Sequence, residues 1–192
     1  MCPDVGRSDR PGAVYLARHG ETDDNREPLR FQGFRDTRLN DTGISQAAEL
    51  AERVEGLGIA ELWSSDLSRA RETAEIVGRR LGLVPRLDPR LREANRGRWE
   101  GRLFEDVAAA EPELFGQWIR AGADWRFPGG ESLGEQQARV AECVEDIRRR
   151  AKKPALAVCH GGSIRVMLCL HEPRGLAAFH EFRVPNVTVV EV

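Results

Sequence analysis

Arg18-His19-Gly20-Glu21-Thr22 sets a guanidinium and an imidazole side by side, directly after the apolar run Ala13-Val14-Tyr15-Leu16-Ala17. His160-Gly161-Gly162-Ser163 stands in the same relation to Ala155-Leu156-Ala157-Val158-Cys159. A third chemically rich segment, Ser64-Ser65-Asp66-Leu67-Ser68-Arg69-Ala70-Arg71-Glu72-Thr73-Ala74, adds further guanidinium groups. A lone histidine is more often a structural residue than a reactive one. Two histidines and two arginines brought to one place, with helix-start amides beside them, are a different matter. Guanidinium forks match phosphate oxygens, and helix N-termini bind anions. The combination therefore points to a phosphate site, with Asn25 in reach on the first loop and Gly20 expected to let the backbone approach a ligand.

The surrounding pattern supplies the elements that must present these groups. The runs at 13–17 and 155–159 suit buried strands, as do shorter ones at 60–63, 84–87 and 187–192. Ile44, Ala47, Ala48, Ala51, Val54 and Leu57 recur at helical spacing, with Asp41 or Thr42 as cap and Gly58 as terminator. Ala70, Ala74, Val77 and Leu81 predict a second helix closed by Gly82, and Val140, Val144, Ile147 and Ala151 a long one ending before Pro154. Ser163 to Leu170 reads as another. Residues 103–125 read as helical pieces broken at Pro112, Gly116 and Gly122. Strands alternating with amphipathic helices predict an α/β, three-layer sandwich: a mostly parallel central sheet with helices on both faces. In such sheets ligands bind beyond the carboxyl ends of strands, where the Arg-His and His-Gly-Gly segments fall.

The chain has 192 residues, enough for one domain with its own core, and no long apolar run that would cross a bilayer. Its formal net charge of -2 argues against a dedicated nucleic-acid binder. Lys152 and Lys153 are the only lysines among 29 basic residues. The run Arg148-Arg149-Arg150-Ala151-Lys152-Lys153 is read as the cationic end of a helix, which suits the helix dipole. Met1 to Gly12 is polar and resembles neither a secretory nor a transit signal, so a flexible start on a cytoplasmic protein is expected. Cys2, Cys143, Cys159 and Cys169 lack C-x-x-C spacing and read as reduced thiols. Glu21, Asp23 and Asp24 lack the partners of a metal site, so no metal is expected. His171 and His180 read as structural or surface residues, and Arg71 as an exposed helix residue.

Leu16-Ala17-Arg18-His19-Gly20-Glu21-Thr22 resembles the signature of the histidine phosphatase superfamily, the phosphoglycerate mutase-like fold. The likeness continues through Gln32-Gly33, Asp36 to Leu39, Gly43, Ser65 to Ala70 and Leu91-Arg92-Glu93. It also includes Gly97-Arg98-Trp99-Glu100-Gly101, Pro128-Gly129-Gly130-Glu131-Ser132 and His160-Gly161-Gly162, so it covers most of 13–192. Two departures stand out: one residue is added between Asn25 and Gln32, and Asp24 occupies a position where an aromatic is common. The resemblance implies that His19 is the nucleophile that becomes phosphorylated. It places Arg18, Arg69, His160, Gly161 and Asn25 around the phosphoryl oxygens and makes Glu93 the proton donor. The chemistry is coherent: a neutral imidazole can split hydrolysis into two displacements, provided its other ring nitrogen donates to an acceptor. His160 would contribute best when protonated beside phosphate.

The short stretch between Glu93 and His160 and the Gly-Gly-Glu-Ser element resemble the branch of α-ribazole and broad-specificity phosphatases. A cofactor-dependent phosphoglycerate mutase is the alternative, and a phospholigand-binding pseudoenzyme a third. The expectation is thus one domain over 13–192, with a helical substrate-covering insert at about 103–128. Gln32, Trp118, Arg120 and Trp125 are candidates to hold the rest of a small phosphorylated metabolite, although the aromatics could equally pack the insert onto the sheet. No cofactor, nucleic acid or membrane is expected as a partner, and a homodimer is compatible with this reading.

Overall fold

The computed structural model describes residues 12–120 and 122–192. The expected flexible start therefore falls almost wholly outside the described residues, as does Cys2. Five strands form one sheet: β1 (Val14–Arg18), β2 (Glu61–Ser64), β3 (Arg86–Leu87), β4 (Ala155–Cys159) and β5 (Val189–Glu191). Their spatial order is β3-β2-β4-β1-β5, parallel throughout except for β5, which runs antiparallel to β1. The α/β sandwich and its largely parallel sheet agree with the sequence reading.

Strand alternation divides the core into two layers. Val14 and Leu16 of β1, with Ala155, Ala157 and Cys159 of β4, pack on one face. There they meet α5 (Leu133–Arg150) and α6 (Gly161–Leu168) through Val140, Val144, Ile147, Ile164 and Val166. Tyr15, Ala17, Leu156 and Val158 point to the other face, against α1 (Asp41–Val54) and α2 (Ser68–Leu81) through Leu50, Ala51, Val54, Ala70, Ala74 and Val77. Both faces of the central strands are covered, which is why β1 and β4 read as continuous apolar runs rather than alternating ones.

Several boundaries differ from expectation. The cap of α1 is Asn40, whose side chain accepts from the Gly43 amide, rather than Asp41 or Thr42. A short 3-10 turn then carries the chain to left-handed Gly58, and Gly82 closes α2 in the same conformation. Helix α6 begins at Gly161, two residues before the expected start, because extended His160 serves as its N-cap. The strand at 84–87 shrinks to Arg86–Leu87, and the terminal strand to Val189–Glu191.

The segment 103–128 contains α3 (Phe104–Ala110) and α4 (Pro112–Ile119). Pro112 starts α4, where its missing N–H is harmless, and Gly116 lies within that helix instead of breaking it. An aromatic cluster fastens this segment to the body. Phe31 stacks on Phe104 at 4.0 Å between ring centroids, and Trp118 meets Phe31, Phe115 and Phe104 edge-on. Trp99, fully buried, contacts Phe127 and Trp125 in the same cluster. Cys143, Cys159 and Cys169 are buried free thiols, as expected. Among the described residues no helix is long and apolar enough to cross a membrane.

Candidate active site

Register brings the two histidines together. Arg18 and Cys159 are partners at the ends of β1 and β4, so the next residues, His19 and His160, leave the sheet side by side. Their ring centroids lie 5.1 Å apart. The His19 amide donates to the Cys159 carbonyl at 3.0 Å, and the Asn186 side chain donates to the His19 carbonyl at 3.0 Å, so the backbone here is held on two sides.

The His19 ring is fixed by its own loop. Nδ1 lies 2.6 Å from the Gly20 carbonyl, which can only accept, so Nδ1 carries the proton and Nε2 keeps its lone pair. Burial, then the positive charge of Arg69, the His160 ring and Arg18, push the His19 pKa well below its ordinary value. The ring is therefore neutral, as a nucleophile must be. Gly20 has a role other than the expected approach to ligand: a Cβ there would sit 2.4 Å from the Gly43 carbonyl, so the glycine lets the loop close on the start of α1.

Cationic and polar donors surround this imidazole. Arg69, on the first turn of α2, is fully buried and donates from its two terminal nitrogens to the carbonyls of Arg35 and Gly33 at 2.8 Å. Arg18 donates from Nη1 to the Val184 carbonyl at 2.6 Å. Burial lowers both guanidinium pKa values to about 10, well above neutrality, so both stay charged. The Nε atoms of Arg18 and Arg69, Nδ2 of Asn25 and Nδ1 of His160 are all buried without a hydrogen-bond partner. Buried polar atoms are rarely left so, and a set of them near one neutral imidazole suits the binding of an anion. Ser65 Oγ accepts from the Leu67 amide and lies 2.9 Å from His160 Nε2. Burial and the charge of Arg69 lower the His160 pKa well below its ordinary value, so the positive charge expected there requires an anion alongside.

Glu93 follows a 3-10 turn after β3 and reaches the start of α6. Its Oε2 accepts the Gly162 amide at 2.9 Å, and its Oε1 accepts the Ala94 amide and the Gln136 side chain, each at 2.9 Å. Burial alone would raise its pKa. The Arg96 charge, the two amides and Gln136 outweigh burial and lower it to about 2. Glu93 is thus ionised in the site as it stands.

Arg18, Asn25, Gln32, Glu93 and Gly161 line one cavity of about 230 Å³. Asn25 Oδ1 accepts the Thr22 amide at 2.9 Å, and Gln32 donates to the Thr22 hydroxyl at 2.5 Å, which ties both to the loop after His19. The expected outer wall is different. Trp118 is only 5 % exposed and packs inside the aromatic cluster, so it is a core residue and does not line the cavity. Arg120 is exposed, Trp125 is half-buried against Trp99 and Phe127, and neither lines the cavity. Phe104, Leu29, Phe31, Arg30, Arg96 and Arg165 line it instead. Backbone pairing of Leu29 and Phe31 with Phe104, Arg102 and Gly101 builds that wall. Sequence reasoning missed Arg96, Arg165 and Gln136. His180 bonds the Trp118 carbonyl and is structural, while His171 is exposed. Among the described residues no group of three or more His, Cys, Asp or Glu side chains could hold a metal ion.

A family model described as the histidine phosphatase superfamily (branch 1) matches residues 14–192. A curated relative from Serratia proteamaculans, "Probable phosphoglycerate mutase GpmB", is 38% identical over 172 residues, covering 88% of this chain and 78% of its own. A mycobacterial glucosyl-3-phosphoglycerate phosphatase solved with VO3 is 33% identical with a TM-score of 0.84, over 93% of this chain and 91% of that one. A putative α-ribazole-5'-P phosphatase from Escherichia coli is 25% identical with a TM-score of 0.81, over 95% and 91%. With the motif order, the fold and the paired histidines all in agreement, the chain belongs to the histidine phosphatase superfamily.

Proposed function

We propose that this protein hydrolyses phosphomonoesters through a phosphohistidine on His19. The observation that carries this reading is the His19 tautomer: Nδ1 is tied to the Gly20 carbonyl, which leaves Nε2 as a buried lone pair among unpartnered cationic donors. In the first step Nε2 forms a bond to phosphorus as the bond to the leaving oxygen breaks. Glu93 supplies the proton that this oxygen needs. In the second step water attacks phosphorus, Glu93 takes its proton, and inorganic phosphate leaves with His19 restored. Arg18, Arg69 and His160 stabilise the spread charge on the equatorial oxygens in both steps.

Glu93 needs a proton before it can give one, since its surroundings hold it ionised. An incoming phosphate adds negative charge beside the carboxylate and raises its pKa, so the proton can pass from a substrate monoanion to Glu93. The protein groups supply the positive charge that phosphoryl transfer requires, so turnover is expected to survive chelation. Trapping during turnover is the direct test: His19 should carry an acid-labile phosphoramidate, and His19→Ala should lower kcat at least about 10³-fold with the fold intact. Phosphate on a serine or cysteine would overturn the assignment.

A phosphoglycerate mutase is the second reading, favoured by the relative of that name at 38% identity. A mutase must return the phosphoryl group to another oxygen of its substrate before water reaches it. Hydrolysis is preferred because a solved phosphatase shares the fold over nine-tenths of both chains. Phosphorus NMR of a phosphoglycerate mixture separates the two. Isomer exchange much faster than phosphate release would select the mutase.

A further inference from the structure

The cavity holds more positive charge than one phosphoryl group requires. Four arginines, Arg18, Arg30, Arg96 and Arg165, line it, and Glu93 is its single lining carboxylate among the described residues. The reaction outlined above uses neither Arg96 nor Arg165. Arg96 is 8% exposed, and its Nη1 is buried with no partner. Its Nη2 lies 3.6 Å from Glu93 Oε1, and its guanidinium sits 4.3 Å from the centroid of Phe127. Arg165, on α6, likewise has a buried, unpartnered Nε, with its guanidinium 5.5 Å from the Phe179 ring. Arg96 and Arg165 repel each other, and burial lowers the pKa of each. A buried guanidinium with an open donor is costly unless an anion meets it.

We propose that Arg96 and Arg165 form a second-anion subsite, so that the preferred substrate is a small phosphomonoester bearing another oxyanion. This rests on the phosphatase reading of the adjoining site, which shares Arg18, Asn25, Glu93 and Gly161 with the cavity. The spacer between the two anionic groups is short, because Arg96 adjoins the carboxylate that serves the leaving oxygen. Leu29, Phe31 and Phe104 offer apolar contact to that spacer, and Arg96 and Arg165 take a carboxylate or a second phosphate.

Matched substrate pairs test the subsite. 3-Phosphoglycerate and glycerol 3-phosphate differ by a carboxylate against a hydroxymethyl group. Propane-1,3-diol bisphosphate and 3-hydroxypropyl phosphate differ by the second phosphate. The wild-type protein should favour the doubly anionic member of at least one pair by about 10-fold or more in kcat/KM, and the pair that responds identifies the anion. Arg96→Met and Arg165→Met, which retain side-chain bulk, should each remove most of that preference through KM, and Arg96→Lys should restore part of it. Calorimetry with the His19→Ala protein reads the same preference as binding, without turnover. A wild-type protein that hydrolyses or binds both members of both pairs equally overturns the subsite, as does a preference that survives both Met variants. Absence of hydrolysis together with preserved binding preference instead removes the phosphatase reading and leaves the subsite standing.

Discussion

The Gly162 amide donates to Glu93 Oε2 at 2.9 Å, which places the candidate acid on the first turn of α6, two residues beyond His160. The positive end of that helix favours a carboxylate over a carboxylic acid. Whatever loads a proton onto Glu93 must overcome the helix, Arg96 and Gln136 together.

Glu93→Gln keeps the shape of the side chain and removes the transferable proton. An alkyl leaving group is strongly basic and needs that proton, whereas p-nitrophenolate does not. Single-turnover phosphorylation of alkyl phosphates should slow by about 10²–10⁴-fold, with a much smaller loss on p-nitrophenyl phosphate. Equal losses on both substrates would remove Glu93 as the acid and make Glu21 the next carboxylate to test.

The pH dependence follows from two depressed pKa values. His19 lies well below its ordinary value and Glu93 at about 2, so near neutral pH the imidazole stays neutral and the carboxylate ionised. The proton for the leaving group then arrives with the substrate monoanion, whose second pKa is about 6. For an alkyl phosphate, kcat/KM should be level from pH 5 to 6 and fall about tenfold per unit above it, while the aryl ester gives a flatter profile. A fall on the acid side centred near 6.5 would show that His19 titrates normally.

Gly162→Ala sets two effects against each other. Alanine improves helix propensity by about 1 kcal/mol. Its Cβ, however, would fall 2.0 Å from Glu93 Oε1. Displacement of the carboxylate should dominate function, so the variant should remain folded yet show the alkyl-selective loss of Glu93→Gln. Wild-type ratios of alkyl to aryl turnover would mean that Glu93 can act from another position.

Vanadate should raise Tm by pairing the open donors of Arg18 and Arg69 and the unpartnered Nδ1 of His160. At a hundredfold excess over Kd the gain is about 2.7 kcal/mol, roughly 5 °C or more for a domain of this size. Arg69→Met should abolish most of that shift and lower kcat/KM by about 10²–10³-fold. Because Arg69 also binds the Gly33 and Arg35 carbonyls, the ligand-induced shift, and not the absolute Tm, is the decisive reading.

The parts of the fold visible in the sequence are those with one dominant signal. β1 and β4 are continuous apolar runs, and α2 carries regular apolar spacing up to Gly82. Glycine misled where tertiary contacts override propensity: Gly161 and Gly162 open α6, and Gly116 lies within α4, whereas the break at Pro112 falls between α3 and α4 as expected. Arg18, His19, Arg69, Glu93 and His160 were legible because each sits in an ordered motif. Arg96 and Arg165 were not, since arginine is nearly the only cation in this chain and a buried one looks like any other. The place of Trp118 stayed open in the sequence because aromatic residues serve a core and a ligand wall equally well.

The position of β4 between β1 and β2 governs when the site can exist. Those two strands make no pairing with each other; within the sheet they are joined only through β4, which lies far away from both in sequence. A chain still short of Ala155 therefore carries His19 and Arg69 on separate fragments of sheet. Such long-range parallel pairing is slow to form. Insertion of β4 delivers His160 and unites the halves at once, so oxyanion affinity should emerge during refolding together with the last cooperative step, and not with early helix formation.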